Sequence, residues 1–344
     1  MSLLLALWGL GVAVSLAVTG LVAVAGLGDV PGERSSHSAV TPTAGGLGVV
    51  AGMGATLATA APFIGGQAGT SPVPAVVALL FATALIGLQD DVHGLRTGLK
   101  FALVLLVAAL TVAVTGPVPE LPLGADALPL PAWVGQAGAI LWIFVVVNAV
   151  NFMDGINGLM AGYMNAALLV VGAIAAAYGF TDVTWLALAA SAGLVGFLPY
   201  NFRARAAVFC GDTGALPVGY LFAVIPLLAA SGTGELPLLY LAPLMLVPFL
   251  ADVLMTLVRK IRRGERFMAA HRDHLYQRLS RRWGHVAVSG LFVALSVPLA
   301  ALALASIRLD LSGSLWALLS VAGLAAIAHL LVSRAMDRNR PDPR

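Results

Sequence analysis

The sequence predicts an all-α, polytopic integral membrane protein with about eleven transmembrane helices, and three observations carry that expectation. Of its 344 residues, 60% are hydrophobic and only 10% charged, and the mean hydropathy is +0.95. That is more apolar surface than a soluble domain can hide. The apolar runs are long and continuous, not the short alternating segments of a barrel, so helices must satisfy the backbone within lipid. Finally, once the runs are counted, the basic residues fall almost entirely on one side.

The runs that reach the ~20 residues needed to span a bilayer are 3–26, 45–65, 73–89, 99–116, 135–152, 158–179, 183–200, 213–231, 236–257, 286–306 and 313–333. The first is too long for a signal-peptide core and reads as an uncleaved span. Alternate loops then lie on opposite faces. One face receives 27–44, 90–98, 153–157, 201–212, 258–285 and the tail 334–344. It carries 18 of the 19 Lys and Arg residues, with Lys100 at a helix start and Arg308 left over. Excess Lys and Arg mark the cytoplasmic side, so the N-terminus is expected outside and the C-terminus inside. The whole chain, 1–344, reads as one transmembrane domain with a large cytoplasmic loop at about 258–285. The net charge of +3 then describes a surface facing anionic lipid and gives no reason to expect nucleic acid. The single Cys, Cys210, excludes an internal disulfide.

The unusual polar residues converge on that same basic face. "GLQDDVHGLRTGLKF" places Asp90, Asp91 and Lys100 there. "NAVNFMDGINGL" adds Asn148, Asn151, Asp154 and Asn157, and "YNFRARAAVFCGDTGALPVG" adds Asn201, Phe209 and Asp212. Asp252 lies near the inner end of its span, and "MAAHRDHLYQRL" brings His271, Arg272 and His274 in the large loop. Asn148, Asn151 and Asp154 are spaced by three, which a helix would stack on one side. Asp90, Asp91, Asp154 and Asp212 would repel one another, and a divalent cation would relieve that. "CGDTG" sets a carboxylate between glycines at a helix start, where N–H groups favour phosphate. Together these features suggest phosphate chemistry on a lipid.

Plainer readings stand beside these. A polar residue at a helix end is commonly a cap, and an Asp pair at a loop start is commonly a turn. Cys210 reads as a small apolar filler. His93 and His285 read as solvated loop residues, and His329 has no evident role. An ionisable residue within a span, such as Asp252, is functional by default.

In order along residues 29–282, these stretches resemble the polyprenyl-phosphate N-acetylhexosamine-1-phosphate transferases. "DVPGERSSHSAVTPTAGGLGVV" is similar to that family's first cytoplasmic loop, "QDDVHGLRTGLKF" to its Asp-Asp motif, and "NAVNFMDGINGL" to its Asn-x-x-Asn-x-x-Asp-Gly motif. "VFCGDTGALPVG" and "HRDHLYQRL" resemble its Gly-Asp and His-rich motifs. Asn157 stands where a second Asp is common, and Ala215 replaces the usual Ser. His271-Arg272-Asp273-His274 replaces a triple His, a form that looks most like the O-antigen and lipopolysaccharide initiators.

The resemblance implies transfer of N-acetylhexosamine 1-phosphate from a UDP-sugar to polyprenyl (undecaprenyl) phosphate, releasing UMP. It implies Mg²⁺, with Mn²⁺ as a substitute, and a multi-pass enzyme of the inner (plasma) membrane with a cytoplasmic site; a homodimer is the one assembly entertained. It gives Asp90 and Asp91 the catalytic role at the acceptor phosphate, which Lys100 holds. Asp212 and Asp154 are the implied metal ligands. Asn148, Asn151, Asp154, Asn157, Asn201 and Phe209 fall on the nucleotide side. His271, Arg272 and His274 grip the diphosphate or sugar. The rival reading is a transporter of an anionic substrate, to which Asp252 and the prolines Pro243 and Pro248 would belong.

Overall fold

The computed structural model describes residues 2–26, 28–29, 41–65, 71–123, 126–232, 237–264, 273–308 and 311–338. They form α1 (Ser2–Ala25), α2 (Gly46–Ala60), α3 (Val73–His93), α4 (Thr97–Thr115), α5 (Ala132–Phe152), α6 (Leu159–Ala177), α7 (Thr181–Asn201), α8 (Gly211–Gly232), α9 (Pro237–Arg262), α10 (Leu275–Trp283), α11 (His285–Arg308) and α12 (Leu311–Arg338). A 3₁₀ turn (Ala61–Phe63) and two short antiparallel pairs complete the description: β1 (Gly28–Asp29) with β2 (Thr41–Pro42), and β3 (Glu120–Pro122) with β4 (Ala127–Pro129). Eleven of the helices are long and apolar enough to cross a membrane, as the hydropathy pattern predicts. The exception is α10.

The helices exceed the apolar runs at several ends. Asp90 and Asp91 belong to the last turn of α3, which stops at Gly94 in the left-handed region (φ 67°). The stretch expected as one loop at 258–285 is partly helical: α9 continues through Arg262, and Leu275–Trp283 forms α10. Helix formation outlasts hydrophobicity there because Arg and Lys are good helix formers that complement a helix C-terminus. Pro243 and Pro248 lie inside α9, which runs continuously through both.

α8 is the central helix. It touches α2, α3, α4, α5, α6, α7 and α9, and Thr213–Ala230 is buried throughout. Small residues make such crowding feasible, because in lipid association depends on close packing and not on apolar burial from water. Gly219 of α8 faces Val147 and Val150 of α5. Hydrogen bonds between helices add to this: Trp142 donates to the Ala223 carbonyl at 2.9 Å, and the Thr111 and Tyr220 hydroxyls are 3.0 Å apart. A second bundle of α1, α2 and α7 packs on one flank, tied by the Ser15 hydroxyl donating to the Gly193 carbonyl at 2.6 Å. α12 packs along α9 and α11 and otherwise presents an exposed apolar surface.

Candidate active site at the polar end of the bundle

The ends of α3, α4, α5 and α8 meet at one pole of the molecule. The approach of α3 to α8 depends on Gly87, where a Cβ would lie 2.3 Å from the Asp212 carbonyl oxygen. Gly211 starts α8 with φ 67°, in the left-handed region that favours glycine. A side chain there would also meet the Asp91 carboxylate at 2.5 Å.

Asp91 caps α8 from another helix. Its Oδ1 accepts the Asp212 N–H at 2.9 Å. Its Oδ2 accepts the Thr213 N–H at 2.9 Å and the Thr213 hydroxyl at 2.6 Å. These are orphan donors of a first helical turn, and a carboxylate is the acceptor that best complements them. Its neighbour Asp90 does something else. Asp90 Oδ1 accepts the Leu95 N–H at 2.7 Å, and Oδ2 takes Lys100 Nζ at 2.8 Å. Lys100 Nζ also donates to Asp212 Oδ2 at 2.6 Å, and Asn151 Nδ2 donates to Asp212 Oδ1 at 2.7 Å. Asp212 is therefore held from both sides.

Asp154 is the exception within this group. It lies just beyond α5, half-buried, and its carboxylate accepts no hydrogen bond among the described residues. Burial, and after it the charges of Asp212 and Asp91, hold its carboxyl well above the usual carboxylate range. Cys210 sits in the same field. Burial first, then Asp154, Asp91 and Asp212, push its thiol up, so it stays neutral as an inert core thiol.

The other expected ligands divide. Asn148 is buried and donates to the Phe144 carbonyl of its own helix at 2.7 Å. Asn157 donates to the carbonyls of Arg203 (2.8 Å) and Ala204 (3.3 Å), and its own carbonyl accepts the Ser289 hydroxyl. Asn201 accepts the Gly158 N–H at 2.7 Å and donates to Val208. These two amides stitch the turn 153–158 to the segment 202–208. Phe209 is half-buried, with its carbonyl accepting the Gly45 N–H at 3.0 Å. His271 and Arg272 lie outside the described residues. His274 sits beside Phe152, ring centroids 6.2 Å apart, with Nδ1 3.1 Å from Asp252 Oδ1.

Thr213, Gly87 and Tyr276 belong to this construction and were not singled out from sequence. Thr213 adjoins Asp212, and only the meeting of two helices reveals its bond to Asp91. The Tyr276 hydroxyl donates to the Phe152 carbonyl at 2.7 Å, closing α10 over the end of α5.

Residues 73–230 match the model of glycosyl transferase family 4. A decaprenyl-phosphate N-acetylglucosaminephosphotransferase of Mycobacterium leprae is 33% identical over 278 residues, covering 72% of this chain and 69% of the relative. The chain belongs to glycosyl transferase family 4. A phospho-N-acetylmuramoyl-pentapeptide-transferase of Rubrobacter xylanophilus is 33% identical over 270 residues, covering 72% and 78%. A "probable undecaprenyl-phosphate N-acetylglucosaminyl 1-phosphate transferase" of Bacillus subtilis is 28% identical over 259 residues, covering 73% and 69%. The family 4 segment contains the whole Asp90–Lys100–Asn151–Asp154–Asp212 group and ends before Asp252 and α10.

Proposed function

We propose that this family 4 chain transfers a sugar 1-phosphate, that of an N-acetylhexosamine carried by UDP, to a polyprenyl phosphate such as undecaprenyl phosphate. The products are a polyprenyl-diphosphate-sugar and UMP. The observation that carries the reading is the setting of Asp212 between Lys100 and Asn151, beside the carboxylate of Asp154, which accepts no hydrogen bond among the described residues. The names of the relatives support the class of reaction, and two of the three bear N-acetylglucosamine. The O-antigen and lipopolysaccharide pathway rests on the His271–His274 motif alone.

The chemistry suits such a site. Phosphoryl transfer is mainly positioning and charge stabilisation. An acceptor phosphate is already anionic near neutral pH, so its attack needs no strong base. Lys100 is the cation within reach of both Asp90 and Asp212, and it is placed to meet an incoming phosphate at this junction. Asp90 orients Lys100, while Asp91 sets the α8 helix start and so acts on the reaction through Asp212. Asp91 is thereby a positioning residue in this reading, whereas the motif alone would make it catalytic.

The donors fit Mg²⁺. They are carboxylate oxygens, the type that hard cations take, and Asp154 is a half-buried carboxylate with no hydrogen-bond donor among the described residues. Asp154 and Asp212 would hold the ion, and it would supply charge neutralisation of the diphosphate. Among the described residues no group of three or more His, Cys, Asp or Glu side chains is arranged to hold a metal, so the two carboxylates would need substrate phosphate oxygens to complete the ion's coordination. The Lys and Arg distribution supports a site facing the cytoplasm from the plasma membrane. The transporter reading loses its motive, because α9 is unbroken and Asp252 is engaged in holding α10.

The test is direct. Purified protein is incubated with undecaprenyl phosphate and, in turn, UDP-GlcNAc, UDP-GalNAc and other UDP-N-acetylhexosamines, and UMP and lipid-linked sugar are measured. UMP release that requires both substrates is the expected result. No release with any of the donors overturns the reading.

A further inference from the structure

Asp252 is a buried acid in a membrane-spanning helix, 2% exposed, and lies outside the family 4 segment. A carboxylate at such depth is costly unless its oxygens are fully engaged. Here they are. Oδ1 accepts the Leu275 N–H at 3.0 Å and lies 3.1 Å from His274 Nδ1. Oδ2 accepts the Tyr276 N–H at 2.8 Å. The Thr256 hydroxyl, one turn along α9, donates from 3.3 Å.

α10 has nine residues. An isolated helix of that length is not stable in water, so what holds it decides whether it exists. Asp252 holds its start. Arg278 holds its middle to α12, through the Asp337 carboxylate at 2.7 Å and the Ser333 carbonyl at 3.3 Å. A third attachment points at the candidate site: the Tyr276 hydroxyl donates to the Phe152 carbonyl. It fits there because Gly155 has no side chain; a Cβ would fall 2.1 Å from that hydroxyl. The turn so clamped, 152–155, directly follows Asn151, which holds Asp212, and contains Asp154.

We propose that Asp252 is a positioning residue for the transfer reaction. It fixes the start of α10, and through Tyr276 it fixes the turn that carries Asp154. This inference rests on the proposed transfer. A cap that merely stabilised the fold would lower the amount of folded protein and leave the kinetic constants of what remains unchanged. A positioning residue lowers turnover of folded protein.

The experiment uses Asp252→Asn, Tyr276→Phe and the double variant. Each also carries Cys210→Ala and Arg282→Cys, with a nitroxide label on exposed Arg282→Cys to report the motion of α10. A 1 Å misplacement costs up to ~100-fold in rate, so Asp252→Asn should lower kcat by about that factor per folded molecule. The KM for polyprenyl phosphate should stay within about twofold, because Lys100 and Asp90 are not displaced. The label should become mobile. Tyr276→Phe should lower kcat by about tenfold, and the double variant should lose no more than Asp252→Asn alone, since both act through one helix. Activity of Asp252→Asn within about twofold of the parent, an unmoved label, or additive losses in the double variant would each overturn the inference. Absence of UMP release by the parent protein would instead remove the proposed transfer, and an immobile label in Asp252→Asn would still refute the clamp.

Discussion

Asp91 of α3 grips the first turn of α8 with both carboxylate oxygens, taking the N–H groups of Asp212 and Thr213 at 2.9 Å each and the Thr213 hydroxyl at 2.6 Å. One carboxylate thus places another. Loss of a helix cap costs ~0.5–2 kcal/mol of stability, and Asp212 would move with the helix start. Asp91→Ala should therefore lower both the melting temperature and the turnover, the latter by about 100-fold. Thermal melts and kinetics on the same preparation check it, and an unshifted melt with full activity refutes it.

Lys100 joins Asp90 and Asp212 at 2.8 and 2.6 Å. Removing one partner of such a pair leaves uncompensated charge in a poorly solvated place. Lys100→Gln should reduce kcat/KM by about 100-fold, equivalent to ~2.7 kcal/mol. Lys100→Arg should recover only part, because a guanidinium fork does not replace a compact ammonium between two carboxylates. A rate profile equal to the parent's for Lys100→Gln would exclude a role for this cation.

Asp154 offers a prediction with a sign. Its folded carboxyl is held above the usual range by burial and by Asp212 and Asp91. The native state therefore keeps a proton that the unfolded chain releases near pH ~4. Stability is greatest below that pH and falls as pH rises through the elevated folded value. Asp154→Asn should flatten this slope and raise the melting temperature at neutral pH, while cutting turnover by ~100-fold or more. Mg²⁺ should raise the melting temperature of the parent and leave that of Asp154→Asn nearly unchanged. Equal Mg²⁺ shifts in both proteins would remove Asp154 from the metal site.

Gly87 tests the close approach of α3 and α8. A methyl there meets the Asp212 carbonyl, which is backbone and has no room to yield. Gly87→Ala should destabilise by ~1–3 kcal/mol and depress activity, as overpacking does. A neighbouring change with open space around it, Gly98→Ala, should be nearly silent.

Sidedness is tested by labelling. In a Cys210→Ala background, Arg282→Cys should resist a membrane-impermeant thiol reagent in intact cells, and Asp126→Cys should react. Both positions are exposed. Labelling of Arg282→Cys from outside would reverse the orientation.

The spans were legible because lipid imposes one rule on every helix, a run of about twenty apolar residues. The convergence of Asp90, Lys100, Asn151, Asp154 and Asp212 was legible too, since alternate loops must share a face. What the pattern did not carry was the division of labour. Asp90 and Asp91 are adjacent and chemically identical, yet one turns to Lys100 and the other to α8, a choice made by the rotation of α3 at its end. Asn157 and Asn201 read as nucleotide ligands, but their amides satisfy the backbone between Gly158 and Val208, a demand set by how two loops meet. α10 has no long apolar run. Its cue was the Leu275, Tyr276, Leu279 spacing ahead of Gly284, easily lost among the eleven charged residues of 258–285. Asp252 could be lent to the rival transport reading because its partners at the start of α10 lie more than twenty positions away in sequence.

α8 has a consequence for how the protein meets different membranes. Bilayers vary in thickness, and helices adjust to that by tilting. The adjustment falls on helices that touch lipid, here α1 and α12 above all, whose spans are largely exposed. α8 is wrapped by seven neighbours, and its stretch Thr213–Ala230 is buried against them. The helix that bears Asp212 is thereby shielded from acyl-chain length, and a change in bilayer thickness would reach the site through α3 and α4, whose spans are largely exposed and which carry Asp90, Asp91 and Lys100.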